Sequence, residues 1–253
     1  MSASHVQASS NELTALLKRV FEAIGCDQSE QEDAAKAILA AECRGFSAFC
    51  TLPEMLERLQ RERPKPIPRI DEKNGWLEID GNRSSIACYG SVFAGLTSAY
   101  AAQRDQCVFA SVQSCNDRSM VLHFLQSNAA AGVPMLASWS NDHEPDTRCA
   151  YLASNDGLND QYIEQELSEK NSSPECLILM AAPCFEQILP FWQQIHAQYS
   201  INKAVAATEI QNRLDLSRSN GIRIEMPLWE QLQKIALNVL VPSSERSRAG
   251  AGA

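Results

Sequence analysis

Three prolines spaced by two residues divide this sequence into a part with helical periodicity and a part in which strands and helices alternate. Pro64, Pro66 and Pro68 lie in the segment RPKPIPRIDEKNG. Proline fixes its own φ, donates no backbone N–H and disfavours helix in the residue before it, so this run cannot be helical. We therefore predict an extended chain that crosses the surface between the two parts.

The part before the prolines has the spacing of amphipathic helices. Apolar residues recur at intervals of three and four over residues 11–24, and Gly25 ends the pattern as a C-terminal glycine does. A second helix is predicted to start at a capping box formed by Ser29 and Glu32. A third, short helix is predicted over residues 53–61.

The part after the prolines alternates between short apolar runs and helical patterns. Strands are predicted at residues 76–79, 107–112, 133–139 and 176–181, and helices at residues 86–104, 119–131, 184–198 and within 220–240. Residues 141–174 are polar and irregular, and we predict a loop there. This alternation indicates an α/β fold.

The composition excludes several classes of function. A chain of 253 residues with 45% hydrophobic residues can bury the core of one large domain. Its formal charge of −9 gives no excess of basic residues that would attract nucleic acid or an anionic membrane. The first residues lack the pattern of a signal peptide, and no apolar run approaches the roughly 18 residues of a membrane helix, so we predict a cytoplasmic protein.

The nine cysteines do not form a metal site or a disulfide framework in the sequence. They are scattered, without a C-x-x-C pair and without a histidine placed to complete a zinc set. We predict that they are reduced and mostly buried as small core residues. No metal is expected.

The chemistry-bearing candidates are one histidine and one polar loop. His123 follows the predicted strand at 107–112 and the segment Ser114–Ser119 (SCNDRS), a location where α/β proteins place binding residues. The segment Ser114–Ser119 leads into a helix whose free N–H groups suit an anion. Ordinary capping by Asn116, Asp117 or Ser119 explains the same residues. No phosphate-loop, dinucleotide or G-x-S-x-G motif is present.

The order of several segments resembles the malate/L-lactate dehydrogenase-type NAD(P)-dependent oxidoreductases, which are distinct from the Rossmann-fold enzymes. The segments that carry the resemblance are AAECRGFSAF, LPEML, LEIDGN, VFASVQSCNDRS, AAAGVPMLASWSN and NGIRIEMPLWEQLQKIA. The resemblance covers about residues 10–141 and 174–240. It implies homodimers that reduce 2-oxo acids or cyclic imines with NAD(P)H.

The sequence departs from the family at the residues that catalyse its reaction. In the family, Arg-Gly is followed by Ser-His-Gly-Val-x-Arg-Leu-Pro, in which the His is the general acid and the second Arg holds the substrate carboxylate. Here those Ser-His-Gly positions fall on Ala48, Phe49 and Cys50, and no Arg precedes Leu52. A phenyl ring cannot deliver a proton. In the family's Asn-Ser-x-His-Phe-Gly motif, the His is replaced here by Asp117.

The resemblance further implies that about a hundred residues are missing between residues 141 and 174, where much of the nicotinamide-nucleotide site belongs. We therefore expect helical N- and C-terminal elements packed together beside a small α/β core, with the family's cofactor lobe largely missing. In terms of domains, we predict flexible residues 1–10, a single domain over 11–241 and a disordered tail over 242–253. The single domain comprises a helical part, residues 11–62 and 184–241, and an α/β core, residues 75–183.

Three functional hypotheses remain open. The first is a binding or scaffold pseudoenzyme, dimeric with itself or with a longer relative, that binds a small carboxylate or imine. The second is an active oxidoreductase or re-purposed enzyme with His123 or Asp117 as the catalytic group. In either case the resemblance makes Arg44, Ser47, Phe49, Asn116 and Arg118 substrate-binding candidates. It makes Asp117, Arg118 and Ser119 candidates for binding NAD(P), should any family function survive. The third is an unrelated α/β protein that binds a small molecule or a protein.

Overall fold

The computed structural model describes residues 4–62, 67–73, 75–141, 146–166, 176–198 and 200–239. Its helices are α1 (Ser10–Ala23), α2 (Gln28–Cys43), α3 (Ala48–Arg61), α4 (Ile86–Arg104), α5 (Val121–Ala130), α6 (Phe185–Gln198), α7 (Ala207–Asn220) and α8 (Met226–Ala236). Its strands are β1 (His5–Ala8), β2 (Arg69–Lys73), β3 (Trp76–Asp80), β4 (Val108–Gln113), β5 (Met135–Ser140), β6 (Thr147–Ala153), β7 (Gln161–Glu166), β8 (Cys176–Ala181), β9 (Ile201–Ala206) and β10 (Ile222–Glu225).

Eight of these strands form one mixed sheet in the order β2-β3-β4-β8-β5-β6-β7-β9. Strands β3 and β4 are parallel and are joined through α4, whereas every other neighbouring pair is antiparallel. Strand β8 lies between β4 and β5 and pairs with both. The predicted α/β class is confirmed.

Helices cover the two faces of the sheet unequally. The helix-rich face carries α4 and α5, with α2 packed on both and α1 packed on α2. Its core includes Leu77, Ala110, Trp139, Tyr151 and Leu179 from the sheet. On the opposite face, α6 buries a smaller cluster around Leu136, Leu152, Met180 and Trp192. The same strands therefore build two separate cores.

The two ends of the described chain meet. Strand β1 pairs antiparallel with β10, so that Val6 lies opposite Ile224 and Ala8 opposite Ile222. Helix α8 packs against α1 beside this ribbon. The N-terminal helices and the C-terminal helix thus share one lobe, as the resemblance implies. The flexible segment predicted at residues 1–10 is wrong for His5–Ala8, because one edge of this strand is paired with β10.

The predicted loop at residues 141–174 is wrong over two segments, which form β6 and β7. Both strands are largely buried, so they lack the apolar–polar alternation that marks a half-exposed strand. The polar stretch after α6 likewise forms β9 and α7. Half of the large sheet therefore comes from sequence with no clear strand signal. The predicted tail at 242–253 lies outside the described residues.

Two predicted helix starts are displaced. The capping box predicted at Ser29 and Glu32 is formed instead by Asp27, which accepts from the Glu30 N–H at 3.0 Å while its own N–H donates to the Glu30 carboxylate at 2.9 Å. Helix α3 begins at Ala48, not at Pro53. There the half-buried Glu42 carboxylate accepts from the Phe49 N–H at 2.9 Å and so caps the earlier start.

We predict opposite stability effects from two glycines of α4. A Cβ on Gly90 would lie 2.3 Å from Cδ2 of the buried Phe124, whereas a Cβ on Gly95 would meet nothing within 4 Å. Gly90→Ala should lower the free energy of unfolding by about 1–3 kcal/mol through overpacking. Gly95→Ala, the matched control, should raise it by about 0.5–1 kcal/mol through helix propensity.

Urea unfolding of both variants checks this prediction. Equal effects of the two substitutions would show that the close approach of α4 and α5 at Gly90 does not constrain the fold.

Candidate functional site

A cavity of about 780 Å³ opens on the helix-rich face of the sheet. Three walls enclose it: the start of α3 with the turn before it, the loop between β4 and α5, and the helix-facing side of strands β5, β6, β7 and β9. The first two walls contain the segments that carry the family resemblance. The third contains residues with no predicted role.

The first wall is a turn that reverses the chain between α2 and α3. Gly45 and Ser47 both have positive φ, +79° and +51°, which allows this short reversal. The side chain of Arg213 on α7 packs directly on Gly45. A Cβ added to Gly45 would lie 2.5 Å from Nη1 of Arg213. The ring of Phe46 lies 4.7 Å from the ring of Tyr162 on β7. Ser47 is exposed at the cavity and makes no capping hydrogen bond.

The second wall is fixed by backbone hydrogen bonds to the turn that follows β3. The Asn116 N–H donates to Ser84 O at 2.9 Å, and the Ile86 N–H donates to Asn116 O at 2.9 Å. The Asn116 side-chain amide donates to Arg83 O at 2.5 Å. These bonds hold Asn116 and Asp117 at the cavity. None of Asn116, Asp117 and Ser119 caps a helix, because neither helix start in this segment has a side-chain cap bond.

Asp117 is the centre of a small polar cluster. Its Oδ2 accepts from Arg58 Nη2 and from Ser85 Oγ, and its side chain is only 12% exposed. On the other side of Arg58, the buried Nη1 lies 3.7 Å from Glu62 Oε2 and has no hydrogen-bond partner among the described residues. Asp117 is therefore engaged as an acceptor, while Arg58 pairs with Asp117 through a short contact and with Glu62 through a long one.

Arg118 and Ser119 also line the cavity, but their side chains differ in burial and in hydrogen bonding. Arg118 is 4% exposed, and its guanidinium donates to Ser140 O and Cys115 O, each at 3.0 Å. It ties the loop to the end of β5. Ser119 is half-buried and lines the cavity.

The third wall adds groups that the sequence did not single out. Trp139, Cys149 and Tyr162 form its buried floor. The Tyr162 hydroxyl donates to Glu164 at 2.8 Å, and burial with the neighbouring Cys149 and Glu164 raises the pKa of this phenol. Lys203 pairs with Glu164 at 2.9 Å and lies 5.7 Å from the centroid of the Tyr162 ring.

Three predicted site residues do not line the cavity. Phe49, which the resemblance places at a general-acid position, is 8% exposed and lies in the core under α3. Arg44 turns back along α2, where its Nη1 donates to Ala40 O at 2.9 Å. His123 lies on α5 with its ring 5.3 Å from the ring of Phe124. The structure thus brings Ser47, Asn116, Asp117, Arg118 and Ser119 together but not His123 with Asp117.

The other histidines lie elsewhere. His5 contacts Arg223 across the β1–β10 ribbon, and His196 contacts Trp192 within α6. His143 lies outside the described residues. In the part of the chain that the structure describes, no histidine lines the cavity. Proton transfer in it would therefore have to use a carboxyl, a phenol, a thiol or Lys203.

The residues of the cavity do not fit a dinucleotide. Its three cationic side chains are already engaged: Arg58 with Asp117 and Glu62, Lys203 with Glu164, and Arg118 with backbone carbonyls. The carboxylates Glu54, Asp117 and Glu164 balance these cations. A strongly anionic pyrophosphate requires unpaired cations or a cradle of backbone N–H groups. We assign no chemical step to NAD(P) here.

The cysteines agree largely with the prediction. All nine are free thiols. Five of them are buried, whereas Cys50 is exposed at the cavity. Within the described residues, no group of His, Cys, Asp and Glu is placed to hold a metal ion. None of the described helices combines the length and the apolar character that crossing a bilayer requires.

Sequence reasoning missed the cavity residues of β6, β7 and β9. The only signal was a pair of aromatic residues, Tyr151 and Tyr162, within otherwise polar sequence. It also missed Arg58. This residue lies more than one turn of α3 after the position before Leu52, where the resemblance implies an arginine that holds the substrate carboxylate. No spacing rule could have joined Arg58 to Asp117, which lies 59 residues later.

Comparisons with known proteins were made for the sequence and for the structure. A family model described as a protein of unknown function (DUF3726) matches residues 8–90. No curated protein matches the sequence.

Several solved dehydrogenases have the same fold. A dehydrogenase from Sinorhizobium meliloti aligns with a TM-score of 0.69 and 12% identity over 92% of this chain and 100% of its own. A putative malate/lactate dehydrogenase from E. coli aligns with a TM-score of 0.67 and 11% identity over 96% of this chain and 98% of its own. Malate dehydrogenase from Pyrococcus horikoshii aligns with a TM-score of 0.66 and 11% identity over 93% of this chain and 96% of its own. This similarity shows a dehydrogenase-like fold. The shortened chain that the resemblance implies is not confirmed.

We predict that His123 makes stability depend on pH below neutrality. Burial, followed by the positive charges of Arg44 and Lys36, lowers the pKa of His123 to about 4. Between pH 4 and 6.5 the unfolded chain then binds the proton that the folded chain does not, so stability falls as the pH falls through this window. His123→Gln should reduce this loss between pH 6.5 and 4.5 by about 1–3 kcal/mol.

Urea unfolding at the two pH values measures this difference. Ser127→Ala, an exchange of an exposed residue without a titratable group on the same helix, is the control and should leave the pH dependence of the parent unchanged. A His123→Gln variant with the parent's pH dependence would contradict the prediction.

Proposed function

We propose that this protein is a binding or scaffold pseudoenzyme on a dehydrogenase-like fold, which no longer reduces 2-oxo acids or cyclic imines with NAD(P)H. It works as a dimer, with a second copy or with a longer relative. The observation that carries the proposal is the engagement of Asp117 by Arg58 and Ser85 at one former histidine position. Phe49, at the other position, supports it because its ring is buried in the core.

A general acid must present its proton to the substrate. The Asp117 side chain is only 12% exposed, and its Oδ2 accepts from Arg58 and from Ser85, so this carboxyl group is held by the protein and is not presented to a substrate. Phe49 has no titratable group. Both catalytic positions implied by the resemblance are therefore unsuited to the same proton transfer. This supports loss of the reaction more strongly than a single substitution would.

The ligand that best suits the cavity is a small carboxylate, including one with a ring imine or amine. The Nη1 of Arg58 is buried without a hydrogen-bond partner among the described residues. Nη1 forms only a long ion pair with Glu62 at 3.7 Å, so a ligand carboxylate that displaces Glu62 would supply the charge-assisted hydrogen bond that this pair lacks. Glu54 and Glu164, also at the cavity, could face a protonated ring nitrogen. A ligand that carries both a carboxylate and a protonated nitrogen would contact Arg58 and these carboxylates at the same time.

The alternative, an active or re-purposed enzyme at His123, Asp117 and Arg118, has less support. The Arg118 guanidinium is bound to backbone carbonyls, and His123 is absent from the cavity lining. It stays a hypothesis that the following experiment also tests.

We predict no reductase activity. The purified protein should not oxidise NADH or NADPH above the blank with pyruvate or with Δ1-piperideine-2-carboxylate. Titration of either nucleotide should give no saturable change in the fluorescence of the four tryptophans in the micromolar range. An active malate dehydrogenase serves as the positive control. Turnover with either substrate would overturn the proposal, and its loss in Asp117→Asn or His123→Ala would assign the re-purposed site. Light scattering of the purified protein should give twice the chain mass if the partner is a second copy, and a monomer would exclude the homodimer.

We predict that Arg58 binds the carboxylate of the ligand in the first cavity. Isothermal titration with pyruvate and with L-proline should detect binding, and Arg58→Gln should weaken it by about 10-fold or more, because a charge-assisted hydrogen bond is lost. The matched control is Arg61→Gln on the same helix, whose side chain is 71% exposed and pairs only with Glu57 among the described residues. Binding that is equal in both variants would exclude Arg58 from the site.

A further inference from the structure

A second, smaller cavity lies on the opposite face of the sheet. Its volume is about 170 Å³, and it opens between α6 and strands β4, β8, β5 and β6. The apolar part of its lining comes from Phe109, Leu136, Ile178, Met180 and Phe191. The rings of Phe109 and Phe191 meet edge to face at 5.4 Å and form one wall. This cavity shares no residue with the first.

One cationic side chain, Arg148 of β6, lies in this apolar lining. Its Nε donates to Ser138 Oγ at 2.8 Å, which fixes the guanidinium beside β5. Its two terminal nitrogens make no hydrogen bond or ion pair with any described residue. Because the side chain is half-buried, its charge is partly removed from water. Such a charge is stabilised when an anion pairs with it.

The neighbour of Arg148 across the sheet is also incompletely satisfied. Gln165 of β7 lies directly opposite Arg148 and is 0% exposed. Its Nε2 donates to Ile195 O at 3.0 Å and so holds α6, while its Oε1 has no partner in the described part of the chain. The polar end of the cavity therefore contains the guanidinium of Arg148, which Ser138 fixes through Nε, while Gln165 lies next to Arg148 on the neighbouring strand and outside the cavity lining.

The size and chemistry of this cavity define its ligand. A dry apolar cavity of about 150 Å³ is large enough to hold one benzene ring. The apolar wall suits a ring or a short aliphatic chain, and the planar fork of an arginine suits a carboxylate. We propose that this cavity binds a small apolar monocarboxylic acid, with its apolar body against Phe109, Phe191 and Met180 and its carboxylate on the terminal nitrogens of Arg148.

Benzoate tests this proposal, with benzamide as the neutral compound of the same shape. In isothermal titration of the full chain, benzoate should bind with a dissociation constant below about 1 mM. Benzamide should bind at least about 10-fold more weakly. Arg148→Gln should weaken benzoate by about 10-fold or more and leave benzamide unchanged. Arg218→Gln on α7, 66% exposed, is the matched control and should change neither.

Methyl NMR of the unsubstituted protein locates the ligand without any variant. Benzoate should shift the methyl signals of Ile178 and Met180, which line the second cavity, and not those of Met55 and Leu122, which line the first. Shifts confined to Met55 and Leu122, an absence of binding at 10 mM benzoate, or equal binding by Arg148→Gln would each overturn the proposal. Because the proposed function concerns the first cavity, either proposal can fail alone.

Discussion

The position of β8 between β4 and β5 is the constraint on which the rest of the structure depends. Strands β4 and β5 are joined through α5, yet they do not pair with each other, because β8 enters antiparallel between them. A strand in this position satisfies its backbone groups on both sides. It also requires side chains that tolerate burial on both faces, which the CLILMA segment supplies. Around it the sheet extends to four strands on one side and three on the other.

Both cavities follow from the alternation of side chains along the same strands. Trp139 of β5 and Cys149 of β6 face the helices and line the first cavity. Their sequence neighbours Ser138 and Arg148 face α6 and line the second. Since successive residues of a strand point to opposite faces, one segment contributes to two sites with different chemistry. A register shift of one residue would exchange them.

The polar residues of the first cavity mostly satisfy one another. Asp117 accepts from Arg58 and Ser85, Lys203 pairs with Glu164, and Arg118 holds the end of β5. Such mutual pairing stabilises a fixed cavity and lowers the reactivity of its groups. The weakest of these pairings is the one between Arg58 and Glu62 at 3.7 Å, and the proposed ligand carboxylate would replace Glu62 there. In the second cavity the exception is Arg148, which faces apolar side chains.

The sequence by itself determined helices α1, α2, α4, α5, α6 and α8 and the central strands β3, β4, β5 and β8. These elements have strong local signals: apolar periodicity, capping residues and short apolar runs. Only the tertiary structure decided that residues 147–153 and 161–166 are strands, that Phe49 is buried and that Arg58 pairs with Asp117. Those outcomes depend on contacts between residues far apart in the chain, whose free energies leave no periodic trace in the local sequence.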